Sequence, residues 1–241
     1  MIMRKILLFL LLLCIVCQTV DAQKPLKKPQ RKPKPQMTQP AKTTPSKKPN
    51  KHNNASTPRI VASGSIDGHD YVDLGLSVKW ATCNVGASSP SDYGSYFAWG
   101  ETSSKSEYTE ENSLTYRKSM GDIAGNPRYD AARANWGSSW RLPTKMEIED
   151  LVDKCKTRWT TYNGRKGRLV TGHNGKSIFL PAAGWRYGSS LSRGGECGAC
   201  WSSTPYDGNT EGAYILGFDS GSFIRGYNYR NDGRTVRPVS E

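Results

Sequence analysis

From Gln23 to Arg59 the chain carries nine lysines, two arginines and eight prolines, but no aspartate or glutamate. Almost nothing in this stretch can be buried. Such a segment does not offset its conformational entropy, and proline and self-repulsion keep it extended. The stretch 23–59 is therefore expected to be a disordered basic linker. That leaves 60–241, about 180 residues, to build a fold, which is enough for one core.

The first residues read as a leader. Arg4 and Lys5 precede twelve apolar residues, Ile6–Cys17, and Val20-Asp21-Ala22 places small residues at a cleavage position. This is the pattern of a secretory signal peptide over 1–22, too short to span a bilayer. Neither Cys14 nor Cys17 follows a small residue, so the lipoprotein pattern is not met. No transmembrane segment is expected beyond the leader.

Charge separates along the same boundaries. Of the net +13, the linker holds +11 and the leader +1, so 60–241 carries only +1. A nucleic-acid-binding domain would carry basic charge on its folded face, and this one does not. The basic stretch instead suits anionic polymers of a cell envelope, or serves as a solvated spacer.

Within 60–241 the densest signal is Asn135–Glu147, which joins a tight aromatic turn to a helix start. Thr144 and Glu147 form a T-x-x-E capping box behind Pro143. Ile148, Leu151, Val152 and Cys155 then fall on one stripe, predicting an amphipathic helix of about four turns. A second short helix is predicted over Tyr129–Asn135, with Asp130 at its start. Elsewhere the pattern is one of short strands. Asp67-Gly68 marks a turn, and Tyr71–Trp80 alternates. Arg168–Thr171 and Ile178–Leu180 flank Asn174-Gly175, a strong hairpin signal. Tyr214–Phe218 is set to pair with Phe223–Tyr227 across Asp219–Ser222, and Ala182–Cys200 reads as a long loop. The fold class expected is α+β, with one or two helices, small antiparallel sheets and extensive loops.

Six motifs in order carry a family resemblance: Tyr71–Thr82, Tyr96–Glu101, Trp136–Thr144, Phe179–Gly184, Trp201–Ser203 and Val236–Val239. Together they resemble the Fibrobacter succinogenes major paralogous domain family of secreted bacterial proteins, over roughly Asp70–Val239. The resemblance implies a C-type-lectin-like domain of the variant shared with formylglycine-generating enzymes, with ligand contacts in a large loop region. Lectins of this fold that bind sugar through calcium use Glu-Pro-Asn or Gln-Pro-Asp together with Trp-Asn-Asp. Neither pattern occurs here, so calcium-mediated sugar binding is not expected, and no metal or other cofactor is assigned. Variable proteins of the fold display diversity near the C-terminus, where this chain has Tyr227–Asn231.

Four cysteines remain after the leader: Cys83, Cys155, Cys197 and Cys200. In an oxidising compartment they allow three pairings. Cys197–Cys200 with Cys83–Cys155 is the favoured one, the latter bridge worth about 4 kcal/mol. The alternative for Cys155 is a small buried core residue. A copper-dependent oxidase would need a more widely spaced pair, and a thioredoxin-type site would need a helix after Cys200. Glu147, Glu149, Asp150 and Asp153 read as a solvated helix face, and no catalytic residue is assigned.

The candidate ligand-binding residues mix aromatic planes with planar donors. They are Trp185, Arg186, Tyr187, Tyr206, Asn209, Arg225, Tyr227, Tyr229 and Arg230. The function expected is that of a non-enzymatic adhesion or recognition module for glycan or protein, exported to the periplasm, cell surface or exterior. The alternatives are a structural envelope protein held by its basic tail, or an oxidase of the formylglycine-generating type.

Overall fold

The computed structural model describes residues 59–137 and 139–241. The leader and nearly all of the basic segment lie outside the described residues, as does Ser138. Twelve strands and two helices follow in order: β1 (Gly64–Ile66), β2 (His69–Val72), β3 (Lys79–Ala81), α1 (Ala131–Trp136), α2 (Lys145–Lys154), β4 (Lys156–Tyr162), β5 (Arg165–Thr171), β6 (Ser177–Pro181), β7 (Trp185–Tyr187), β8 (Ser190–Ser192), β9 (Gly198–Pro205), β10 (Gly212–Phe218), β11 (Phe223–Tyr229) and β12 (Val239–Ser240). They form four antiparallel sheets, ordered β1-β2-β3-β12, β11-β10-β9, β4-β5-β6 and β7-β8.

This is a mostly-β fold, which corrects the α+β expectation. The two helices have only 6 and 10 residues. The capping box is formed as the sequence implies: Thr144 accepts from Glu147 N–H, and the Glu147 carboxylate accepts from Thr144 N–H at 2.8 Å. The helix nonetheless stops at Lys154, because Cys155 adopts an extended conformation at the C-cap. Beyond it, Thr157, Trp159, Thr160 and Thr161 are β-branched or aromatic and continue as β4. The β4–β5 hairpin turns at Asn163-Gly164, both with positive φ, the pair that a two-residue type I′ turn requires.

Local turn chemistry accounts for the other hairpins. Thr171 pairs with Ser177 across Asn174-Gly175, and Phe218 with Phe223 across Asp219–Ser222. The expected loop 182–200 instead contains the β7–β8 hairpin and the start of β9. Gly184 makes this possible. Its φ is +63°, and a Cβ there would run into the Ser192 carbonyl oxygen.

The β9–β10 pair is buried on both faces, which explains its nearly unbroken apolar sequence. Toward α2, Cys200, Leu216 and Phe218 pack with Ile148, Leu151, Val170, Ile178 and Leu180. On the other face, Ala199, Trp201 and Ile215 pack with Trp99, Ala131, Leu142 and Val236.

Charged residues tie the sheets together from inside. Arg168 on β5 donates to the carbonyls of Asp219 and Ser222, both at 3.0 Å, pinning the β10–β11 turn to the β4–β5 hairpin. Arg237 is fully buried and donates to Asn84 and to the carbonyls of Ala81, Thr82 and Phe179. Asp130, the N-cap of α1, accepts four backbone N–H bonds.

His69 stacks on Trp136, with ring centres 3.8 Å apart and planes within 5°, and meets Trp140 edge-on. Burial holds its pKa below 6.5, opposed by the nearby Asp67 carboxylate. The unfolded chain therefore takes up this proton more readily than the folded one. The His69 contribution to stability is whole above pH 6.5 and is lost as pH falls below it. In thermal melts between pH 7.5 and 5, wild type should lose more stability than His69→Phe. Parallel pH profiles for the two would contradict this.

Candidate functional site

The candidate ligand residues do not form one surface. Trp185, Arg186 and Tyr187 lie on β7, where Trp185 stacks beneath the Arg234 guanidinium and Arg186 covers Tyr96. Tyr187 projects from that hairpin, 63% exposed. Arg230 is the clear correction. It is 1% exposed, lies 4.3 Å from the Trp99 ring centre, and donates to the carbonyls of Gly212, Thr115 and Lys118. Its guanidinium is committed to the interior, and burial lowers its pKa to about 10. Asn231, beside it in sequence, is also buried.

The remaining residues converge on the β9–β10–β11 sheet. Side chains alternate along β11, so Phe223, Arg225, Tyr227 and Tyr229 share the face that packs on α2. Tyr206, just after β9, stacks on Tyr227 with ring centres 3.9 Å apart and planes within 7°. Tyr214 on β10 meets Tyr206 edge-on at 5.5 Å. Farther along, Tyr229 is 49% exposed and meets Tyr116 at 6.5 Å. Of these five tyrosines, Tyr206, Tyr227 and Tyr229 form a strip that reaches the surface at the open end of the sheet, and the buried Tyr214 and Tyr116 back it.

Polar groups frame this strip and neutralise one another. Asp207 accepts from Tyr214 Oη at 3.0 Å and pairs with Lys145 Nζ at 2.9 Å. Those two bonds hold the Asp207 carboxyl below the ordinary carboxylate range. Arg225 lies over the Tyr214 ring and pairs with Glu149 of α2 at 2.6 Å. Asn209 uses its Oδ1 to accept from the N–H groups of Glu211 and Gly212, shaping the β9–β10 turn. At the far end Arg117 covers Tyr116 and pairs with Glu211. Sequence reasoning missed Tyr116, Tyr214, Lys145 and Glu149. Glu149 reads in sequence as part of a solvated helix face, and Lys145 as the first residue after the helix cap.

A second concavity, an open groove of ≈ 610 Å³, is walled by Trp159, Lys166, Arg193, Glu196 and the turn 219–222. Its charges are largely committed. Arg193 pairs with Glu196, and Asp219 Oδ1 accepts from the N–H groups of Gly221 and Ser222.

Neither of the expected cysteine bridges, Cys197–Cys200 and Cys83–Cys155, is formed in the structure. From Gly198 the chain is extended strand. At about 3.3 Å per residue, Cα atoms three residues apart lie about 10 Å apart, beyond disulfide reach. Cys200 turns inward, with Sγ 3.3 Å from Thr235 Oγ1, and burial raises its pKa. Cys155 is half-buried against the core beneath α2, while Cys83 lies beside the Thr82 hydroxyl.

Among known families, a model described as a domain of unknown function (DUF8237) matches residues 153–239. That span begins inside α2 and takes in β4–β11, including Tyr206, Tyr214, Tyr227 and Tyr229, but leaves out Tyr116 and Lys145. No curated protein matches the chain, and no solved structure does. Among the described residues, no helix is long and apolar enough to cross a membrane.

Proposed function

We propose that the protein is an exported, non-enzymatic binding module whose ligand, a glycan or an extended protein segment, lies along the tyrosine strip. The observation that carries this reading is the Tyr206–Tyr227 stack, backed by the buried Tyr214 and continued by the exposed Tyr229. Stacked rings offer apolar area with hydroxyl edges at low entropic cost. The flanking ions are paired with one another, so the strip can be covered without stranding a charge. The leader pattern and the resemblance to a family of secreted proteins support export.

The test is a set of alanine substitutions read by affinity for the ligand. Tyr206→Ala and Tyr227→Ala should each weaken binding at least about tenfold. Tyr187→Ala, on the separate β7–β8 hairpin, should leave affinity unchanged. A loss at Tyr187 with none at Tyr227 would move the site to that hairpin and overturn this reading.

A further inference from the structure

β11 ends its sheet, and among the described residues it pairs only with β10. The hydrogen-bond register is set at both ends of this hairpin. Asp219 N–H donates to Ser222 O at 3.0 Å, and Arg230 N–H donates to Glu211 O at 2.8 Å. In an antiparallel pair these positions alternate. The main-chain groups of Ile224, Gly226 and Asn228 therefore face β10, while those of Phe223, Arg225 and Tyr227 face outward.

Solvent-exposed edges are ordinarily blunted by lysine, proline, a bulge or an inward charge. β11 runs seven residues in continuous register with β10, without a lysine or a proline. Its one charged side chain, Arg225, carries Glu149 as its counter-ion. Ile224 is 37% exposed on the face away from α2, beside Gly217 and above Ile215.

We infer that two copies of this chain associate by antiparallel edge-to-edge pairing of β11, with the two-fold axis at Gly226. Gly226 is the midpoint of Phe223–Tyr229. This register places Arg225 opposite the partner's Tyr227 and Tyr227 opposite the partner's Arg225, and these two central pairs give four main-chain hydrogen bonds. It also sets an arginine beside a tyrosine ring rather than beside a like charge. Moving the axis to Arg225 would oppose two arginines. Self-complementarity of this kind is what an isologous contact requires, and it favours a second copy over a foreign strand.

Gly226 itself fits this role. A Cβ there would meet only Ile215, at 3.7 and 3.9 Å, which is ordinary contact, and its φ is not in the left-handed region. The protomer's own fold therefore tolerates a side chain at this position. At the axis, however, the two Gly226 residues face each other at a non-hydrogen-bonded site, where Cα atoms approach to about 4.5 Å. The pairing makes a six-stranded sheet. Because the axis is perpendicular to that sheet, both tyrosine strips lie on the same face.

The test is sedimentation equilibrium of the full mature chain with reductant present. Wild type is expected as a concentration-dependent dimer. Gly226→Lys and Gly226→Glu should each be monomeric with near-wild-type thermal melts, and an equimolar mixture of the two should recover the dimer mass. Ile224→Lys, at an exposed position, should also reduce dimerisation. A wild type that stays monomeric at all concentrations would overturn the inference. So would a Gly226→Lys variant that remains dimeric, or a mixture that remains monomeric.

Discussion

Asp130→Ala should cost the domain about 4 kcal/mol or more of its stability. The Asp130 carboxylate is fully buried and accepts from Ala132 and Arg133 at the start of α1, from Gly125 in the preceding loop at 2.7 Å, and from Leu142 at 2.9 Å. Burial pushes the carboxyl pKa up, and the four N–H donors oppose that shift. Alanine removes every acceptor at once and leaves four N–H groups facing a void. At about 1 kcal/mol or more for each orphaned donor, the loss is about 4 kcal/mol or more. That is a large share of the roughly 5–15 kcal/mol of a typical domain. Asp130→Asn keeps one oxygen but turns an NH₂ toward two donors, so an intermediate loss is expected. Urea melts of the three proteins measure this. A loss of only about 1 kcal/mol for Asp130→Ala would match an ordinary helix cap and contradict the hub role.

Arg237→Met is the second large effect. The guanidinium joins three segments far apart in sequence: Ala81–Asn84, Phe179 on β6, and its own strand approach to β12. Its four bonds run from 2.7 to 3.0 Å. Burial lowers its pKa. Methionine fills much of the volume but strands four neutral acceptors, and at about 1 kcal/mol or more for each the loss is about 4 kcal/mol. Arg237→Lys should recover little, because an ammonium donates from one point and does not span acceptors held by a planar fork. Equilibrium unfolding of both variants checks this. Wild-type stability in Arg237→Lys would show that charge alone, and not the fork, is needed.

These two residues mark where sequence reasoning works and where it stops. The Thr144–Glu147 box, the Asp130 cap and the Asn174-Gly175 and Asp219–Ser222 hairpins were legible because their chemistry lies within four residues. The last turn of the expected four-turn helix was wrong because the stripe at Ile148, Leu151 and Val152 was extended through Cys155. The contrary signal was present in Thr157–Thr161, followed by Asn163-Gly164. The β7–β8 hairpin was hidden by the Gly/Ser-rich character of 184–198. Arg230 and Arg237 look like surface residues in a one-dimensional reading. What buries them is a set of carbonyls contributed by Thr115, Lys118, Gly212, Ala81 and Phe179, and no local pattern encodes that set. The strip itself was half visible: Tyr206, Tyr227 and Tyr229 were singled out. Their grouping with Tyr116, Tyr214 and Lys145 depends on strand register.

The most direct measurement for the binding reading is an array of glycans and envelope polymers probed with the mature chain, with a variant lacking 23–59, and with a Tyr206→Ala/Tyr227→Ala variant. The proposed function predicts a signal that survives removal of 23–59 and addition of a chelator, and that disappears in the double tyrosine variant. Binding that vanishes with 23–59 and ignores the tyrosines would contradict it, and would assign attachment to the basic segment instead.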